Sequence, residues 1–447
     1  MQAFEDKDLF LYFLIAAYLI LKDHGLLVLV QFSLSHGFFF FCWLPYVFLC
    51  NRVILPFPYH SVFSQRATDF EYVIVEFLKY HFKYLIENKV GYTFLDGQIF
   101  RILHKMRSIR EIGDGLGDIS IEDVQDIEGN HRGLKGLFMY SKSRVSKFDY
   151  DVLILYVHGG LGFGMGSADM YSEYLSIFLV NLLEQGFTNP ALLAPSFPSD
   201  RLEKYPIQMA ILLNSYHYLN TLANANCHIV LMGDSTGATL LSSLLLQISN
   251  PSPYMLNYLS NTYSYNETRG GFSAEVVKTL KKPSYCIMIS PIPNIYGYHK
   301  VISNEDDYLT EDNLKNWTKF FVDDVDESTK YLSPGQCSDV KTWQTALPTQ
   351  GLLITYGTEE IISEDIEQFI GLLTQTGCKL KVDKQLGQVH NWPIVNFYGE
   401  RLIDHREYSL QLFTGVLSRM LLHSTKSFFE VGAKPPLNIV RIDDDYT

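Results

Sequence analysis

Residues 228–237 read His228-Ile229-Val230-Leu231-Met232-Gly233-Asp234-Ser235-Thr236-Gly237, and they decide the fold. The apolar, β-branched run from Ile229 to Met232 has the length of a strand. The residues from Thr236 to Gln247 repeat leucine and alanine with helical spacing. Between them stands Gly-x-Ser-x-Gly, a turn whose glycines leave room for a strained serine backbone beside the next helix. The stretch therefore predicts a strand, a tight turn that exposes the hydroxyl of Ser235, and a helix. The alternative is a Gly-flanked serine in an ordinary turn.

Strands and helices alternate on both sides of this stretch. The continuous apolar run from Val152 to Val157 is typical of a parallel strand buried on both faces. Further strands are predicted at 191–195, 286–290 and 352–356, an edge strand at 377–384, and a helix at 205–222. This order predicts an α/β fold with a mostly parallel central sheet and helices on both faces.

The first 50 residues are unusually apolar. Leu9 to Leu21 is too short to span a bilayer, whereas Gly25 to Cys50 is long enough for one transmembrane helix. We therefore expect a membrane anchor. A cleaved signal peptide is less favoured, because the run is long and lies far from the start without a small-residue cleavage site. A helical hairpin buried against a soluble domain remains the other alternative.

These patterns divide the chain into four predicted parts. They are an apolar segment with the anchor at 1–50, a cap with lead-in strands at 51–150, a catalytic domain at 151–425 and an acidic tail at 426–447. The helical, acidic segment from Val301 to Pro334 either arches over the site as part of a helical cap or forms a peripheral insertion.

Composition excludes several classes of function. The net charge of −13 and the lack of a long basic run argue against nucleic acid as a partner. The six cysteines show no C-x-x-C spacing, so neither a structural zinc site nor a dithiol is expected, and we predict no metal or organic cofactor. Cys337 and Cys378 could pair in an oxidising compartment, and their spacing leaves this open.

A glycine-rich loop, His158-Gly159-Gly160-Leu161-Gly162-Phe163, follows the strand at 152–157. Its spacing does not fit a dinucleotide fingerprint. Its backbone N–H groups can instead face an anion, so we predict that the amides of Gly159 and Gly160 form an oxyanion hole with that of Thr236. His158 is interpreted as a residue that shapes the loop.

An acid and a base are predicted at the ends of later strands, where open α/β sheets place their sites. Four acids occupy the loop from Gly357 to Asp365, and an acid is needed there to orient an imidazole. Glu360 is preferred and Glu359 is second, because the other two acids fall in a helical first turn. His390 is the only histidine after Glu360 that lies in a loop. The predicted catalytic residues are therefore Ser235, Glu360 and His390.

The combination of these motifs resembles the hormone-sensitive-lipase-like branch of the α/β-hydrolases. The likeness rests on His158-Gly159-Gly160, the turn at 233–237, Ser290-Pro291, the loop Tyr356-Gly357-Thr358-Glu359-Glu360 and Gly387-x-x-His390. Within that branch the chain is most similar to the fungal steryl acetyl hydrolases, which are membrane-anchored sterol deacetylases. The resemblance covers roughly residues 150 to 400.

This resemblance implies a serine ester hydrolase that acts on an acetylated sterol or a similar lipophilic acetate. It also implies an endoplasmic reticulum anchor with the catalytic domain in the lumen. The triplets Asn266-Glu267-Thr268 and Asn316-Trp317-Thr318 are glycosylation acceptors that agree with this location. Two alternatives remain open: a broad carboxylesterase or lipase with the same catalytic residues, and a non-catalytic ligand receptor on the same scaffold.

Overall fold

The structure is a computed structural model. It describes residues 5–85, 97–110, 116–125, 134–144, 146–160, 166–197, 204–263, 274–295, 305–321 and 329–422. The predicted acidic tail at 426–447 and the acceptor Asn266 lie outside these residues.

One eight-stranded sheet organises the described chain. Its strands are β1 (Ile119–Gln125), β2 (Lys135–Ser141), β3 (Val152–Val157), β4 (Pro190–Pro195), β5 (His228–Asp234), β6 (Tyr285–Ile289), β7 (Leu352–Gly357) and β8 (Leu380–Gln385). Their order across the sheet is β1-β2-β4-β3-β5-β6-β7-β8. Strands β3 to β8 run parallel, and β2 pairs antiparallel with both β1 and β4. The predicted mostly parallel sheet is therefore confirmed, with β8 as the expected edge strand.

Helices precede, connect and cover the strands. In chain order they are α1 (Asp6–His24), α2 (Leu26–Phe38), α3 (Leu44–Phe48), α4 (Val62–Arg66), α5 (Asp69–Leu85), α6 (Gly97–Arg110), α7 (Ser172–Glu184), α8 (Ile207–Leu222), α9 (Thr236–Ser249), α10 (Pro253–Tyr263), α11 (Ala274–Thr279), α12 (Glu311–Phe321), α13 (Thr329–Leu332), α14 (Val340–Ala346), α15 (Ser363–Thr374), α16 (Trp392–Gly399) and α17 (Ile403–Leu417).

The sheet is apolar on both faces because helices cover both. All six residues of β3 are buried, as are those of β4 and β7. Alternate residues of β3 point into two separate apolar clusters: Leu153 packs with helices α8 and α9, and Ile154 packs with α7 and α17. Continuous apolar runs are the sequence signature of such doubly covered strands.

The apolar N-terminal region forms two long helices joined at Gly25. Helix α1 packs on α6 through a small apolar cluster that includes Ala16, Leu19 and Ile20. From Leu26 to Ile54 the chain is one 29-residue helix, in which two π-helical segments, Phe39–Trp43 and Leu49–Ile54, flank α3. Only 6% of its most apolar 18-residue window is buried. The long helix therefore differs from the buried-hairpin alternative, and its length and composition fit either a membrane anchor or an N-terminal signal sequence.

Candidate active site

The turn between β5 and α9 holds Ser235 in a strained conformation. Its φ is 52° and its ψ is −125°, values that a residue with a side chain rarely adopts. The flanking glycines allow this geometry. A Cβ on Gly233 would lie 2.7 Å, and one on Gly237 2.1 Å, from the carbonyl oxygen of Val157. The close approach of β3 to this turn thus explains why the motif needs glycine at both positions.

The structure brings together the three side chains that the sequence singles out. Nε2 of His390 lies 2.9 Å from Oγ of Ser235, and Nδ1 of His390 lies 3.0 Å from Oε2 of Glu360. All three residues are buried, and Glu360 is fully so. The alternative acid, Glu359, is half-buried and accepts a hydrogen bond from the hydroxyl of Thr358. Glu360 is thus the acid that contacts the imidazole.

The second carboxylate oxygen of Glu360 is also held. Oε1 accepts a 2.5 Å hydrogen bond from the hydroxyl of Ser290 and a 2.7 Å hydrogen bond from the amide of Gly357. The Ser290 hydroxyl in turn accepts a hydrogen bond from the amide of Asn391, next to the histidine. Because both carboxylate oxygens are engaged, the carboxylate is fixed relative to the imidazole ring.

A residue that the sequence analysis did not single out, Asp307, joins the two loops of the site. Its Oδ1 accepts from the amide of His390 at 3.3 Å, and its Oδ2 accepts from the amide of Ile361 at 2.8 Å. The next residue, Tyr308, places its ring edge-on to the imidazole, with centroids 5.9 Å apart. The segment at 305–321 therefore contacts the site and is not a peripheral insertion.

Three carboxylates surround His390 and set its protonation. Burial lowers the pKa of His390, but the hydrogen bond and charge of Glu360, with the charges of Asp307 and Asp234, outweigh it, and the pKa is raised. Burial also raises the pKa of Asp307 to about 6. A base surrounded in this way accepts a proton readily, as a general base must.

The glycine-rich loop corrects one sequence prediction. The amide of Gly159 donates a 3.1 Å hydrogen bond to Oδ1 of Asp234, so it is not available to the predicted oxyanion hole. Within the described residues the amides of Gly160 and Thr236 have no hydrogen-bond acceptor. Gly160 has a φ of 76°, in the left-handed region that favours glycine. These two amides remain for the predicted role. Leu161 and Gly162 lie outside the described residues.

Asp234 links the glycine-rich loop to the turn that carries Ser235 (the elbow), a role that the sequence did not reveal. Its carboxylate also accepts hydrogen bonds from the hydroxyls of Tyr156 and Tyr171, at 2.7 and 3.1 Å, and from Nδ2 of Asn391 at 2.9 Å. No local signal marks these partners, because each comes from a different element. The expected structural role of His158 fits its geometry. The residue is buried, its Nδ1 bonds to the carbonyl of Gly159 at 2.7 Å, and burial lowers its pKa to about 4.

A cavity of about 240 Å³ opens on the hydroxyl of Ser235. Its described lining carries no acid, lysine or arginine side chain. Most of the lining is aliphatic or aromatic and comes from α1, α5, α6 and α16, together with the segment around Tyr308. A site of this kind accepts a largely apolar ligand. The polar side chains of its described lining are hydroxyl, amide and imidazole groups, from Ser235, four tyrosines, Asn391, His81 and His390.

Other predicted features lie away from this cavity. All six cysteines are free, including Cys337 and Cys378. Asn316 lies half-buried in α12. No three histidine, cysteine or acidic residues in the described ranges converge in a way that could hold a metal ion.

Several solved structures resemble this chain. The esterase LipW from Mycobacterium marinum shares 12% identity and a TM-score of 0.52, over 72% of this chain and 88% of its own. A hormone-sensitive lipase from a metagenome library shares 17% identity and a TM-score of 0.50, over 73% and 98%. The EstE5–PMSF structure shares 16% identity and a TM-score of 0.50, over 72% and 91%.

The chain has the α/β-hydrolase fold. A family model described as steryl acetyl hydrolase matches residues 110–256. The matched residues include the glycine-rich loop and Ser235, whereas Glu360 and His390 lie beyond them. No curated protein sequence matches the chain significantly. Together, the family match and the α/β-hydrolase fold support the assignment of this chain as a carboxylic ester hydrolase.

Proposed function

We propose that the chain is a serine ester hydrolase that removes an acetyl group from a lipophilic alcohol, with steryl acetates as the substrate class. The observation that carries the proposal is the continuous hydrogen-bonded path from Ser235 through His390 to Glu360, beneath an apolar cavity. The match of residues 110–256 to the steryl acetyl hydrolase model supports the choice of substrate class.

The proposed reaction follows from the positions of these groups. Oγ of Ser235 attacks the acyl carbonyl while Nε2 of His390 takes its proton, and Glu360 holds the ring and stabilises the imidazolium. The tetrahedral intermediate then breaks its bond to the alcohol oxygen, which receives the proton from His390. A water molecule, activated by the same imidazole, attacks the acyl-enzyme and releases acetate and free Ser235.

The amides of Gly160 and Thr236 are proposed to bind the oxyanion of that intermediate. Thr236 is the first residue of α9, so its amide is one of the free N–H groups at the positive end of a helix dipole. In this proposal Gly159 acts indirectly, because its bond to Asp234 fixes the loop that presents Gly160.

The membrane is proposed as a further partner. The exposed apolar side chains of the helix from Leu26 to Ile54 support membrane association. The single-pass topology is not part of the proposal, because α1 precedes this helix and yet pairs with the catalytic domain through Asp8 and Arg107, so both ends of the helix lie on one side of the bilayer. The family resemblance supports the endoplasmic reticulum with the catalytic domain in the lumen. A glycosidase-sensitive mobility shift of the expressed protein, abolished by Asn266→Gln, is the result expected. Because Asn316 is half-buried in a helix, Asn316→Gln is expected to leave the shift unchanged. A protein that carries no glycan in a secretory host would overturn the lumenal orientation.

The catalytic proposal is tested with Ser235→Ala. The variant should lose hydrolysis of cholesteryl acetate and of p-nitrophenyl acetate, and labelling by a fluorophosphonate probe, while it keeps its thermal stability. Full activity in this variant would overturn the proposal, and absence of labelling in the wild-type protein would favour a non-catalytic receptor. Equal rates with cholesteryl acetate, a triacylglycerol and p-nitrophenyl acetate would identify a broad carboxylesterase instead.

A further inference from the structure

The cavity above Ser235 reaches the first helix of the chain. Leu9 and Tyr12 of α1 line the same cavity as Ser235 and His390. The ring of Tyr12 lies edge-on to Phe100 of α6, with centroids 5.9 Å apart. One wall of the site is therefore built by residues that precede the long apolar helix in the sequence.

Helix α1 is apolar on two opposite faces. Toward the domain it buries Ala16, Leu19 and Ile20. On the other side it exposes a stripe of large side chains with helical spacing, namely Phe10, Leu14, Tyr18 and Leu21. The helix thus lies as a single layer between the cavity and an apolar outer surface.

A buried ion network fixes the start of α1 against the catalytic domain. Nη1 of Arg107 lies 2.6 Å from Oδ2 of Asp8, and Nε of Arg107 lies 2.9 Å from Oε2 of Glu173. Nη2 of Arg406 lies 2.6 Å from Oε1 of Glu173. The network contains two acids and two arginines, all buried, so its charges balance. Burial acts to raise the pKa of Glu173, but Arg406 and Arg107 outweigh it and lower that pKa.

This network has a positional consequence. Buried charges need their partners in fixed places, because each would otherwise stand uncompensated in a medium of low dielectric. Asp8 is the residue before Leu9 and one helical turn before Tyr12. The pairing of Asp8 with Arg107 therefore also sets the position of the two cavity-lining side chains.

We infer that α1 is a substrate-binding element, in which Leu9 and Tyr12 contact the apolar alcohol portion of the ester and Asp8 positions them through Arg107. The inference rests on the proposed function and adds the residues that select the alcohol. The ligand class is an acetate of a bulky, uncharged, hydrocarbon-rich alcohol, because the described lining is mostly apolar and carries no acid, lysine or arginine side chain.

The test uses the full-length protein in detergent micelles with two esters that share one acyl group. Cholesteryl acetate and p-nitrophenyl acetate form the same acetyl-enzyme, so a difference between them reports on the alcohol side alone. Leu9→Trp places a larger side chain in the cavity. It should lower kcat/KM for cholesteryl acetate about tenfold relative to kcat/KM for p-nitrophenyl acetate, because one changed contact in an apolar pocket alters specificity by about this factor. The matched control is Phe10→Trp, one residue away on the outer face, and it should leave the ratio unchanged.

A second pair of variants tests the positioning role. Asp8→Asn keeps the size of the side chain but removes its charge, and it should raise KM for cholesteryl acetate more than for p-nitrophenyl acetate. Asp6→Asn is the control, because Asp6 pairs with Arg401 on the exposed surface, where an ion pair contributes little. A loss of kcat shared equally by both esters would assign Asp8 a purely structural role and overturn its part of the inference.

Binding provides a readout that does not depend on catalysis. Dehydroergosterol, followed by its fluorescence in the Ser235→Ala protein, should bind less tightly after Leu9→Trp and equally well after Phe10→Trp. Equal binding by both variants, with an unchanged substrate ratio, would overturn the inference even if the enzyme is active. If neither ester is hydrolysed and Ser235 is not labelled, the proposed function fails, and the binding comparison still decides whether α1 forms the wall.

Discussion

The hydroxyl of Ser290 donates a 2.5 Å hydrogen bond to Oε1 of Glu360, the carboxylate oxygen that does not face His390. Ser290 follows β6 with a φ of 44°, a strained value for a residue with a side chain. The same hydroxyl accepts a hydrogen bond from the backbone amide of Asn391. Ser290 therefore bonds both to Glu360 and to the loop that carries His390.

Removal of this hydroxyl should weaken catalysis without unfolding the protein. Ser290→Ala should lower kcat about tenfold, which corresponds to the ~1.5 kcal/mol that a hydrogen bond to a charged group contributes. Initial rates with p-nitrophenyl acetate measure the change. The control is Ser242→Ala, a buried hydroxyl that bonds to a carbonyl of its own helix. An unchanged kcat in Ser290→Ala would mean that the Gly357 amide alone holds Glu360.

Substitutions of the adjacent acids Glu360 and Glu359 should have very different effects on kcat. Glu360→Gln removes the charge that, in the proposed mechanism, stabilises the imidazolium, and a loss of about 10³- to 10⁴-fold in kcat is expected from the role of such an acid. Glu359→Gln alters a half-buried side chain bonded to Thr358, and kcat should stay within about twofold of the wild-type value. Comparable losses in both variants, measured by single-substrate kinetics, would contradict the assignment of the acid.

Asp307 should control the acidic limb of the pH–rate profile. The proposed mechanism needs neutral His390, and the raised pKa of His390 places the expected fall in kcat/KM above the ordinary histidine value of 6.5 as pH decreases. Asp307→Asn removes one of the charges that raise this pKa, so the limb should move to lower pH. Profiles of kcat/KM from pH 5 to 9 test this, and a limb at the same pH in both proteins would show that Glu360 and Asp234 set the value without it.

The buried carboxyl group of Glu71 should make the protein less stable in alkaline solution. Burial, followed by the charge of Glu400, raises the pKa of Glu71 from 4.5 to about 8. Between these values the unfolded chain loses a proton that the folded chain keeps, so the free energy of unfolding falls as pH rises. Glu71→Gln should remove this slope and raise Tm above the wild-type value at pH 8, with little change at pH 5.

The control for this pair is Asp69→Asn, in the same helix α5 on an exposed side chain. It should keep the wild-type dependence of Tm on pH. Parallel curves for Glu71→Gln and the wild-type protein would show that the pKa of Glu71 is not raised in the folded state.

The sequence could predict the elements of the sheet because each is decided locally. Continuous apolar runs located β3, β5 and β7 to within two residues, and glycines that only a tight turn requires located the elbow at Ser235. The same patterns pointed to the loops that carry Glu360 and His390, because polar residues after buried parallel strands share one edge of a sheet.

Only the tertiary structure revealed the contacts that join separate elements. The bond from Gly159 to Asp234, which takes one amide from the predicted oxyanion hole, links residues 75 positions apart. Asp307 meets the amide of His390 across 83 positions, and Asp8 meets Arg107 across 99. Hydrogen bonds and ion pairs depend on distances and angles in space, and these cannot be read from the local spacing or periodicity of the sequence. The sequence by itself determined the strand order along the chain and the chemical types at the site, whereas packing decided which amides are free and which helix closes the cavity.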